Sequence, residues 1–576
     1  MADAAAPASG VEALKDTSNY LRDPLVAEFA AGGTHITDAG YQILKFHGSY
    51  QQDDRDVRND RRRAHEEFEF GFMIRLRLPG GDVHPALWQA LDDLAGAFGR
   101  NALRLTTRQS IQLHSIPKAD LRTVIRTVND HLASTLGACG DVNRNVMAAP
   151  LPLADGRYPV VREAARAVSD HLLPRTPAYA ELWLDGTEVA RIGPADDQSA
   201  EVEPLYGRTY LPRKFKACVT VAGDNSIDLF THDLGFAGFF DGDRLVGWNA
   251  YVGGGLGRTH RKPETFPRLA DPLGFVEPAD LLRVAEAVVV VQRDNGDRTN
   301  RRHARLKYLI ADRGIDWFRA QVEAASGLRF WPAREVVWHR ADDRLGWFPQ
   351  GDGCWALGLR VVNGRVRDED PSRLRGALRA IAGLGIHFRI TPNQNVYLVD
   401  VGPALREQVD AILAGHGVER PEEVAGLRRL AMACPALPTC GLAITEAERV
   451  LPALIDEIQA LLAELDLGDA VPTVRMTGCP NGCARPYVAE IGLVGDAVDR
   501  YQVWLGGDSA GTRLATAVAE RVHRDDLPGV LRPVLERYRA ERHAGEGLGD
   551  FVTRAGIDRL EVPPAAPRRA VAEALA

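Results

Sequence analysis

The pattern of apolar and polar positions occurs twice along the chain. Residues 77–116 read "RLPGGDVHPALWQALDDLAGAFGRNALRLTTRQSIQLHSI", and residues 360–401 contain "NGRVRDEDPSRLRGALRAIAGLGIHFRITPNQNVYLVDV". Both stretches begin with a short strand and a glycine turn, continue as an amphipathic helix, and end in alternating apolar residues that predict another strand. The segment "RLTTRQ", residues 104–109, aligns with "RITPNQ", residues 389–394. Because each copy leads to a cysteine-bearing segment, the sequence predicts two related α/β halves that face each other.

Length and composition indicate several packed units without a membrane span. The chain has 576 residues, of which 45% are hydrophobic and 26% charged, as in ordinary globular proteins. No apolar run is long enough to span a bilayer, and "MADAAAPASGVEALKD" lacks the apolar core of a signal peptide. We therefore expect a cytoplasmic protein. The formal net charge of -8, with no aromatic interleaving among the basic residues, argues against nucleic acid as a ligand.

Four of the seven cysteines lie between positions 434 and 483. They form the pairs Cys434-x5-Cys440 in "ACPALPTCG" and Cys479-x3-Cys483 in "TGCPNGCARP". An odd total in a chain without a leader argues against a disulfide framework. Loops rich in glycine and proline allow several thiolates and backbone N–H groups to converge on one small object.

Three interpretations of these thiols compete. Structural zinc usually takes pairs spaced two to four residues apart, so the x5 pair fits it poorly. Inert buried thiols are the second interpretation, and a four-thiolate iron–sulfur cluster, which fits the number of thiols, is the third and favoured one. The first pair also precedes a predicted helix whose start is marked by a capping box at Thr445 and Glu448.

Basic residues are dense in short stretches of this acidic chain. In an extended strand Arg104 and Arg108 share one face, as do Lys214 and Lys216. Singly, each basic residue is more often a solvated or ion-paired surface residue. Together they predict a pocket for a strongly anionic ligand, because arginine clamps carboxylates and lysine donates protons. The stretches contain Arg75 and Arg77; Arg104, Arg108, Gln112 and His114; Arg144; Arg213, Lys214 and Lys216; and Arg298, Arg301, Arg302, Arg305 and Lys307.

Together these motifs resemble the sirohaem–[4Fe–4S] family of sulfite and nitrite reductases, and within it the assimilatory sulfite reductase haemoprotein (beta) subunits. The resemblance extends from "SNYLRDPLVAEF" and "KFHGSYQQDDRD" to "AGEGLGDFVTRAGI". The pairing of "CPALPTCGLA" with "TGCPNGCARP" is its most specific part, and "YLPRKFK" and "DVNRNV" strengthen it.

The resemblance implies a mixed α/β (α+β) fold of two pseudo-symmetric halves. Each half would be a ferredoxin-like half-domain followed by an α/β sirohaem-binding domain. The expected divisions are a partly ordered N-terminal arm, 1–65, as a candidate docking segment for a partner; half-domain 1, 66–135; a sirohaem and substrate domain, 136–325; half-domain 2, 326–415; and an iron–sulfur and sirohaem domain, 416–576.

The resemblance also implies roles for individual residues. Cys434, Cys440, Cys479 and Cys483 would hold a [4Fe–4S] cluster, and the thiolate of Cys483 would also ligate the sirohaem iron. The catalytic residues around the open face of the iron would be Arg75, Arg144, Lys214 and Lys216. Residues that bind the macrocycle or its carboxylates would be Arg104, Arg108, Gln112, His114, Arg298 and Gln394. The glycine run "YVGGGLG" permits close backbone approach to a cofactor, and a simple turn is the alternative.

The implied activity is the six-electron reduction of sulfite to sulfide. Nitrite-specialised members of the family tend to have asparagine where this chain has Lys216, which favours sulfite over nitrite. Because no flavin or nicotinamide segment is evident, a partner must deliver electrons: an NADPH-oxidising flavoprotein subunit is favoured and ferredoxin is the alternative. A non-catalytic iron–sulfur or zinc protein is the competing class. For Tyr50 and Cys139 there are two alternatives, a covalent link between their side chains or an unmodified Cys139 thiol.

Overall fold

Two units divide the chain in the computed structural model, which describes residues 7–175, 181–184, 187–191, 203–339 and 342–557. The first unit comprises Met1–Gly255 and Arg268–Glu423, and the second comprises Leu256–Pro267 and Val424–Ala576. Each unit has a hydrophobic core of its own. Among the described residues, no helix has both the length and the apolar composition needed to cross a membrane.

The first unit contains twelve of the described helices and nineteen of the described strands. The helices are α1 Gly10–Thr17, α2 Leu25–Ala30, α3 Asp38–Leu44, α4 Arg58–Arg63, α5 Pro85–Ala97, α6 Leu121–Asp130, α7 Arg157–His171, α8 Leu281–Asn295, α9 Leu306–Arg313, α10 Ile315–Ser326, α11 Leu374–Ala382 and α12 Arg406–Gly415. The strands are β1 Ser49–Asp53, β2 Phe70–Arg75, β3 Asp82–Val83, β4 Leu103–Leu105, β5 Ile111–Ile116, β6 Met147–Ala148, β7 Glu181–Leu184, β8 Thr187–Arg191, β9 Ala217–Val221, β10 Leu234–Asp241, β11 Arg244–Val252, β12 Asp271–Val276, β13 Gly346–Pro349, β14 Trp355–Leu359, β15 Arg365–Val366, β16 Asp368–Glu369, β17 Ser372–Arg373, β18 His387–Ile390 and β19 Val396–Val401.

The described part of the N-terminal segment is folded, whereas the sequence predicts a partly ordered arm. Strand β1 pairs antiparallel with β2, with Tyr50 opposite Met73. Leu21 and Ile43 are completely buried in the core of the first unit. The prediction was wrong because long-range strand pairing and burial, rather than local composition, order this segment.

The two copies of the repeat form two five-stranded sheets that exchange strands. Their orders are β1-β2-β5-β4-β15 and β13-β14-β19-β18-β3. Each copy therefore contributes one two-residue strand to the sheet of the other. Helices α5 and α11 pack together beside them. Their contacts include the buried carboxylate of Asp92, which pairs with Arg375 at 2.5 Å and Arg379 at 2.7 Å.

Equivalent turns confirm the alignment of the two copies. A Cβ on Gly81 would lie 2.5 Å from the carbonyl oxygen of Ile390, and one on Gly364 would lie 2.4 Å from that of Leu105. The same backbone approach thus occurs in both copies, with the partners exchanged. Strand β4 ends at Leu105, so Arg108 lies in the following turn. The prediction that Arg104 and Arg108 share a strand face was therefore wrong.

A second pair of sheets has the same topology in the two units. The second unit contains α13 Gly426–Leu430, α14 Leu451–Glu464, α15 Leu527–Glu541, α16 Leu548–Ala555, β20 Met432–Ala433, β21 Val474–Thr477, β22 Ile491–Ala497, β23 Arg500–Leu505 and β24 Thr516–His523. Its sheet order, β20-β21-β22-β23-β24, matches β6-β9-β10-β11-β12 of the first unit. In both sheets the first three strands are parallel and the last two pair antiparallel. The mixed α/β class with two pseudo-symmetric halves is confirmed, while the exact domain boundaries stay a prediction.

Candidate functional site

The two cysteine loops of the second unit lie at one edge of its sheet. Cys434 directly follows β20, and Cys479 follows β21 after one glycine. Because these strands are parallel neighbours, their carboxyl ends meet at the same edge, where ligands of α/β sheets commonly bind. The backbone N–H of Gly478 donates to Cys434 Sγ at 3.4 Å, which joins the two loops.

Gly478 occupies a position that only glycine fits. A Cβ there would lie 2.4 Å from the carbonyl oxygen of Thr445 and 2.7 Å from Ala436 Cβ. The carbonyl oxygen of Gly478 accepts the N–H groups of Ile444 at 2.8 Å and Thr445 at 3.1 Å. These contacts fix the backbone that separates the two cysteine pairs.

Burial and mutual repulsion disfavour the charged forms of these thiols. Cys434 and Cys479 are buried, Cys440 is half-buried and Cys483 is exposed. Burial, and then the neighbouring Cys483, raises the pKa of Cys434 well above its usual range and that of Cys479 to about 12. Four adjacent thiolates therefore call for a strongly cationic centre, which a metal cofactor supplies.

The number and type of donor atoms bear on which metal centre the four thiols could hold. Within the described ranges, no group of three or more His, Cys, Asp or Glu side chains could hold a metal ion. A zinc ion needs its sulfur ligands about 2.3 Å away, so four of them crowd closely together. A donor set of four mutually interacting thiols fits an iron–sulfur cluster.

In the first unit, three of the four predicted catalytic residues come together in two paired loops. Lys214 and Lys216 flank Phe215, whose carbonyl oxygen accepts the N–H of Arg144 at 3.0 Å, just before β9. Burial lowers the pKa of Lys214 well below its usual value, and the charges of Arg213, Arg144 and Lys216 lower it further. A bound anion would reverse this effect, so the group is suited to hold an oxyanion and exchange protons with it.

Arg75 joins this group through the loop that carries Arg144. Its Nη1 donates to Cys139 Sγ at 2.9 Å, and Arg144 Nη2 donates to the carbonyl oxygen of Gly140 at 3.1 Å. Burial lowers the pKa of Arg144; Cys139 opposes this shift and Arg75 adds to it. The four predicted catalytic residues therefore belong to one cationic group.

Gln112 and His114 form a hydrogen-bonded chain that ends at Arg75. With its amide oxygen turned toward Arg75, Gln112 accepts from Nε at 2.7 Å and donates to His114 Nε2 at 3.2 Å. His114 Nδ1 lies 3.2 Å from Gln52 Oε1. Burial, reinforced by the charges of Arg365, Arg104 and other arginines, lowers the pKa of His114 well below its usual value, so the imidazole is neutral at pH 7. Gln112 thus holds Arg75 in place.

The remaining predicted cofactor-binding residues differ in whether their polar atoms have hydrogen-bond partners within the described chain. Arg104 is buried in β4, opposite Gln112. Arg108 Nε and Gln394 Oε1 are buried and have no hydrogen-bond partner in the described chain. Such orphaned polar atoms fit a polar bound group such as a carboxylated macrocycle. Arg298 is different, because its guanidinium pairs with Glu12 and donates to a backbone carbonyl.

Sequence reasoning missed Asp141, the carboxylate at the centre of the basic residues. Its oxygens lie 2.7 Å from Arg301, 3.6 Å from Lys15 and 3.7 Å from Arg213. These charges lower its pKa despite complete burial. The segment "ACGDVNRNV" contained this residue, but no local pattern shows that three distant cations converge on it.

The glycine run is explained by its backbone neighbours. A Cβ on Gly254 would lie 2.1 Å from the carbonyl oxygen of Phe230, and a Cβ on Gly255 would lie 2.6 Å from the guanidinium of Arg305. The run therefore supports the interpretation as a turn with close packing.

The fold and these two groups of residues define a class of protein. It is a duplicated α/β protein with four thiols that suit a metal cluster and a group of basic side chains that suits an anion. The sequence matches the family "Nitrite and sulphite reductase 4Fe-4S domain" over residues 163–330 and 426–561. It also matches "Nitrite/Sulfite reductase ferredoxin-like half domain" over residues 66–131 and 348–416. The chain belongs to the nitrite and sulfite reductase family.

Relatives and a solved structure extend this similarity over nearly the whole chain. The "Sulfite reductase [ferredoxin]" of Synechococcus elongatus is 50% identical over 97% of this chain and 92% of the relative. The "Sulfite reductase [NADPH] hemoprotein beta-component" of Myxococcus xanthus is 46% identical over 98% of this chain and 99% of the relative. The solved structure of Mycobacterium tuberculosis NirA aligns with a TM-score of 0.77 at 27% identity, covering 96% of this chain and 98% of NirA.

Proposed function

We propose that this chain is the haemoprotein of an assimilatory sulfite reductase, which reduces sulfite to sulfide with six electrons. The observation that carries the proposal is the cationic group of Arg75, Arg144, Lys214 and Lys216, in which burial and then the charges of neighbouring basic residues lower the pKa of Lys214. The names of relatives at 50% and 46% identity over almost the full chain support sulfite as the substrate.

The chain's own residues divide between two cofactors, sirohaem and a [4Fe–4S] cluster. Cys434, Cys440, Cys479 and Cys483 would hold the cluster, with Cys483 supplying the thiolate that also ligates sirohaem. The group that would bind the macrocycle or its carboxylates comprises Arg104, Arg108, Gln112, His114, Gln394 and Arg298. Arg298 is the weakest member because Glu12 already engages its guanidinium. When bound, the two cofactors would carry the electrons that the partner protein delivers and would supply the redox chemistry.

The cationic group performs two tasks in this proposal. Arg75 and Arg144 bind the oxygens of the substrate anion and stabilise negative charge that develops on them. An anion bound beside Lys214 raises the pKa of that lysine and so favours its ammonium form where protons are needed. Lys214 and Lys216 then donate protons to the departing oxygens, which leave as water.

The electron donor is a partner protein, and two donors are candidates. The names of the relatives divide between ferredoxin and NADPH, the latter used with a flavoprotein subunit in our proposal. We favour the flavoprotein, with ferredoxin as the alternative. Supplying each donor separately and measuring sulfide distinguishes them. A cytoplasmic location remains a prediction of the sequence.

The test of the proposed function is anaerobic turnover with reduced methyl viologen, which replaces the physiological donor. Sulfite and nitrite are compared, and sulfide and ammonia are quantified. Efficient formation of sulfide with weaker turnover of nitrite is the expected result. Preference for nitrite would move the chain to the alternative, nitrite reduction to ammonia. No turnover of either anion by protein that contains sirohaem would point to a missing partner or to a different class of substrate, whereas protein without sirohaem would belong to the non-catalytic iron–sulfur or zinc class.

A further inference from the structure

A small cavity in the first unit is lined by six charged side chains and by five uncharged residues. Its volume is about 20 Å³, enough for one water molecule or one oxygen atom of an anion. Five cations but one carboxylate face it. The charged lining residues are Lys15, Lys45, Asp141, Arg144, Arg213 and Arg301.

Most of these cations have partners that account for their position. Arg301 and Arg213 share the carboxylate of Asp141. Lys15 pairs with Glu12 at 2.5 Å and donates to a backbone carbonyl at 2.9 Å. The negative charge of Asp141 is thus already divided among three cations.

Lys45 differs from these cations in the kind of partner it has. Its Nζ donates to Gln42 Oε1 at 2.9 Å and lies 3.7 Å from the centre of the Tyr41 ring, both on α3. No carboxylate of the described chain lies within ion-pair distance of this ammonium. Burial, followed by the charges of Arg213 and Arg301, lowers the pKa of Lys45 to about 7; Asp141 opposes the shift and Arg144 adds to it.

The cavity therefore holds more positive than negative charge in a place largely removed from solvent. Burying a charge without compensation is costly, so this excess favours an anion. Arg144, which belongs to the proposed substrate-binding group, lines the same cavity as Lys45. The two side chains can therefore face the same negatively charged atom.

We propose that Lys45 and Arg144 bind one anionic oxygen, donated either by the substrate oxyanion or by a carboxylate of the macrocycle. This proposal rests on the proposed function and adds a residue of the N-terminal segment to the anion site. Lysine and arginine both serve as donors there, but only lysine loses its charge near neutral pH. Because the pKa of Lys45 is about 7, binding should weaken as the pH rises through that value.

The test compares Lys45→Met, Lys45→Arg and a matched control in the full-length holoenzyme. Lys118 is the control, because its ammonium also lies near an aromatic ring, 5.9 Å from the centre of Phe29, but outside this cavity. Sirohaem content is measured by absorption, and the KM for sulfite is measured with reduced methyl viologen from pH 6 to pH 9. Lys118→Met is expected to match the wild type in both.

If the oxygen comes from the substrate, Lys45→Met raises the KM for sulfite roughly tenfold or more at pH 6 to 7, with sirohaem content unchanged. If it comes from the cofactor, Lys45→Met purifies with less sirohaem, while the KM of the loaded fraction is unchanged. In either case Lys45→Arg restores the wild-type value at pH 6 to 7. If the oxygen belongs to the substrate, the KM of Lys45→Arg for sulfite should also stay constant above pH 7, where the KM of the wild type rises.

Unchanged sirohaem content together with unchanged KM in Lys45→Met would overturn the proposal. So would a Lys45→Arg variant that fails in the same way as Lys45→Met, because a restored charge would then have no effect. Failure of the proposed function is a separate result. If the wild type reduces nitrite instead, the variants are compared by their KM for nitrite. If it reduces neither anion, the sirohaem content of Lys45→Met alone tests the role of Lys45.

Discussion

Replacing Gly478 by alanine should disorganise the cluster site without touching a cysteine. The added methyl group would lie 2.4 Å from the carbonyl oxygen of Thr445 and 2.7 Å from Ala436 Cβ, where ordinary contacts begin at about 3.4 Å. Neither neighbour is the end of a flexible side chain, so relief requires the backbone to shift. That shift moves the loop that carries Cys479 away from the loop that carries Cys434. The hydrogen bond from the Gly478 N–H to Cys434 Sγ would then be lost.

The magnitude follows from two contributions. Overpacking of a filled interior costs about 1–3 kcal/mol, and this overlap is with main-chain atoms. The carbonyl oxygen of Gly478 also accepts two backbone hydrogen bonds, each worth roughly 0.5–1.5 kcal/mol if lost. We therefore expect the free energy of unfolding to fall by about 2–6 kcal/mol, a large fraction of the usual 5–15 kcal/mol.

The assay measures iron and acid-labile sulfide per chain, the visible spectrum and urea unfolding of the holoprotein. Gly441→Ala is the matched control, because Gly441 directly follows Cys440 but a Cβ there would meet nothing within 4 Å. Gly478→Ala should lose most of its iron, whereas Gly441→Ala should retain it. Equal iron content and equal stability of the two variants would refute the reasoning.

Three further predictions concern single residues. Lys216→Ala should keep the sirohaem spectrum and lower turnover roughly tenfold to ten-thousandfold, the range for a general acid, and normal turnover would remove Lys216 from the mechanism. Cys483→Ser should abolish sulfite turnover and alter the visible spectrum, and an unchanged spectrum would exclude this thiolate as a shared ligand. Asp141→Asn should lower the free energy of unfolding by about 3–5 kcal/mol, measured with urea, because Arg301 then lacks its buried partner. The fold lowers the pKa of Asp141, so the stability that its carboxylate contributes is fully present above about pH 3.9. This contribution is lost as the pH falls through the pKa of Asp141 in the folded protein. Equal stability of Asp141→Asn and the wild type at pH 7 would contradict the assignment.

The repeat and the cysteine loops could be predicted because their signals are local. Helix and strand periodicity placed α5 and α11 correctly in the two copies, and the pairs of cysteines lie within short loops. The helix start after the first pair was predicted wrongly. Thr445 Oγ1 accepts the N–H of Asp499 at 2.9 Å instead of capping, and the helix begins at Leu451.

Contacts between distant residues account for what the sequence did not show. Lys45 and Asp141 lie far apart in the chain, so their common cavity leaves no local pattern. The order of the N-terminal segment depends in the same way on the ion pair between Glu12 and Arg298, 286 residues apart. The composition shows that the segment is polar. It does not show which distant residues its polar side chains contact when they are buried.

The exchange of strands between the two ferredoxin-like half-domains has a consequence for biosynthesis. Arg389 of β18 donates to Asp82 of β3 across a separation of 307 residues. A ribosome adding about 5–20 residues per second needs about 15–60 s to supply the second partner after the first. Throughout that interval β3 lacks its partner strand β18, and its unpaired edge is available to other chains. Production of this protein should therefore depend on chaperones that protect the nascent chain until both halves exist.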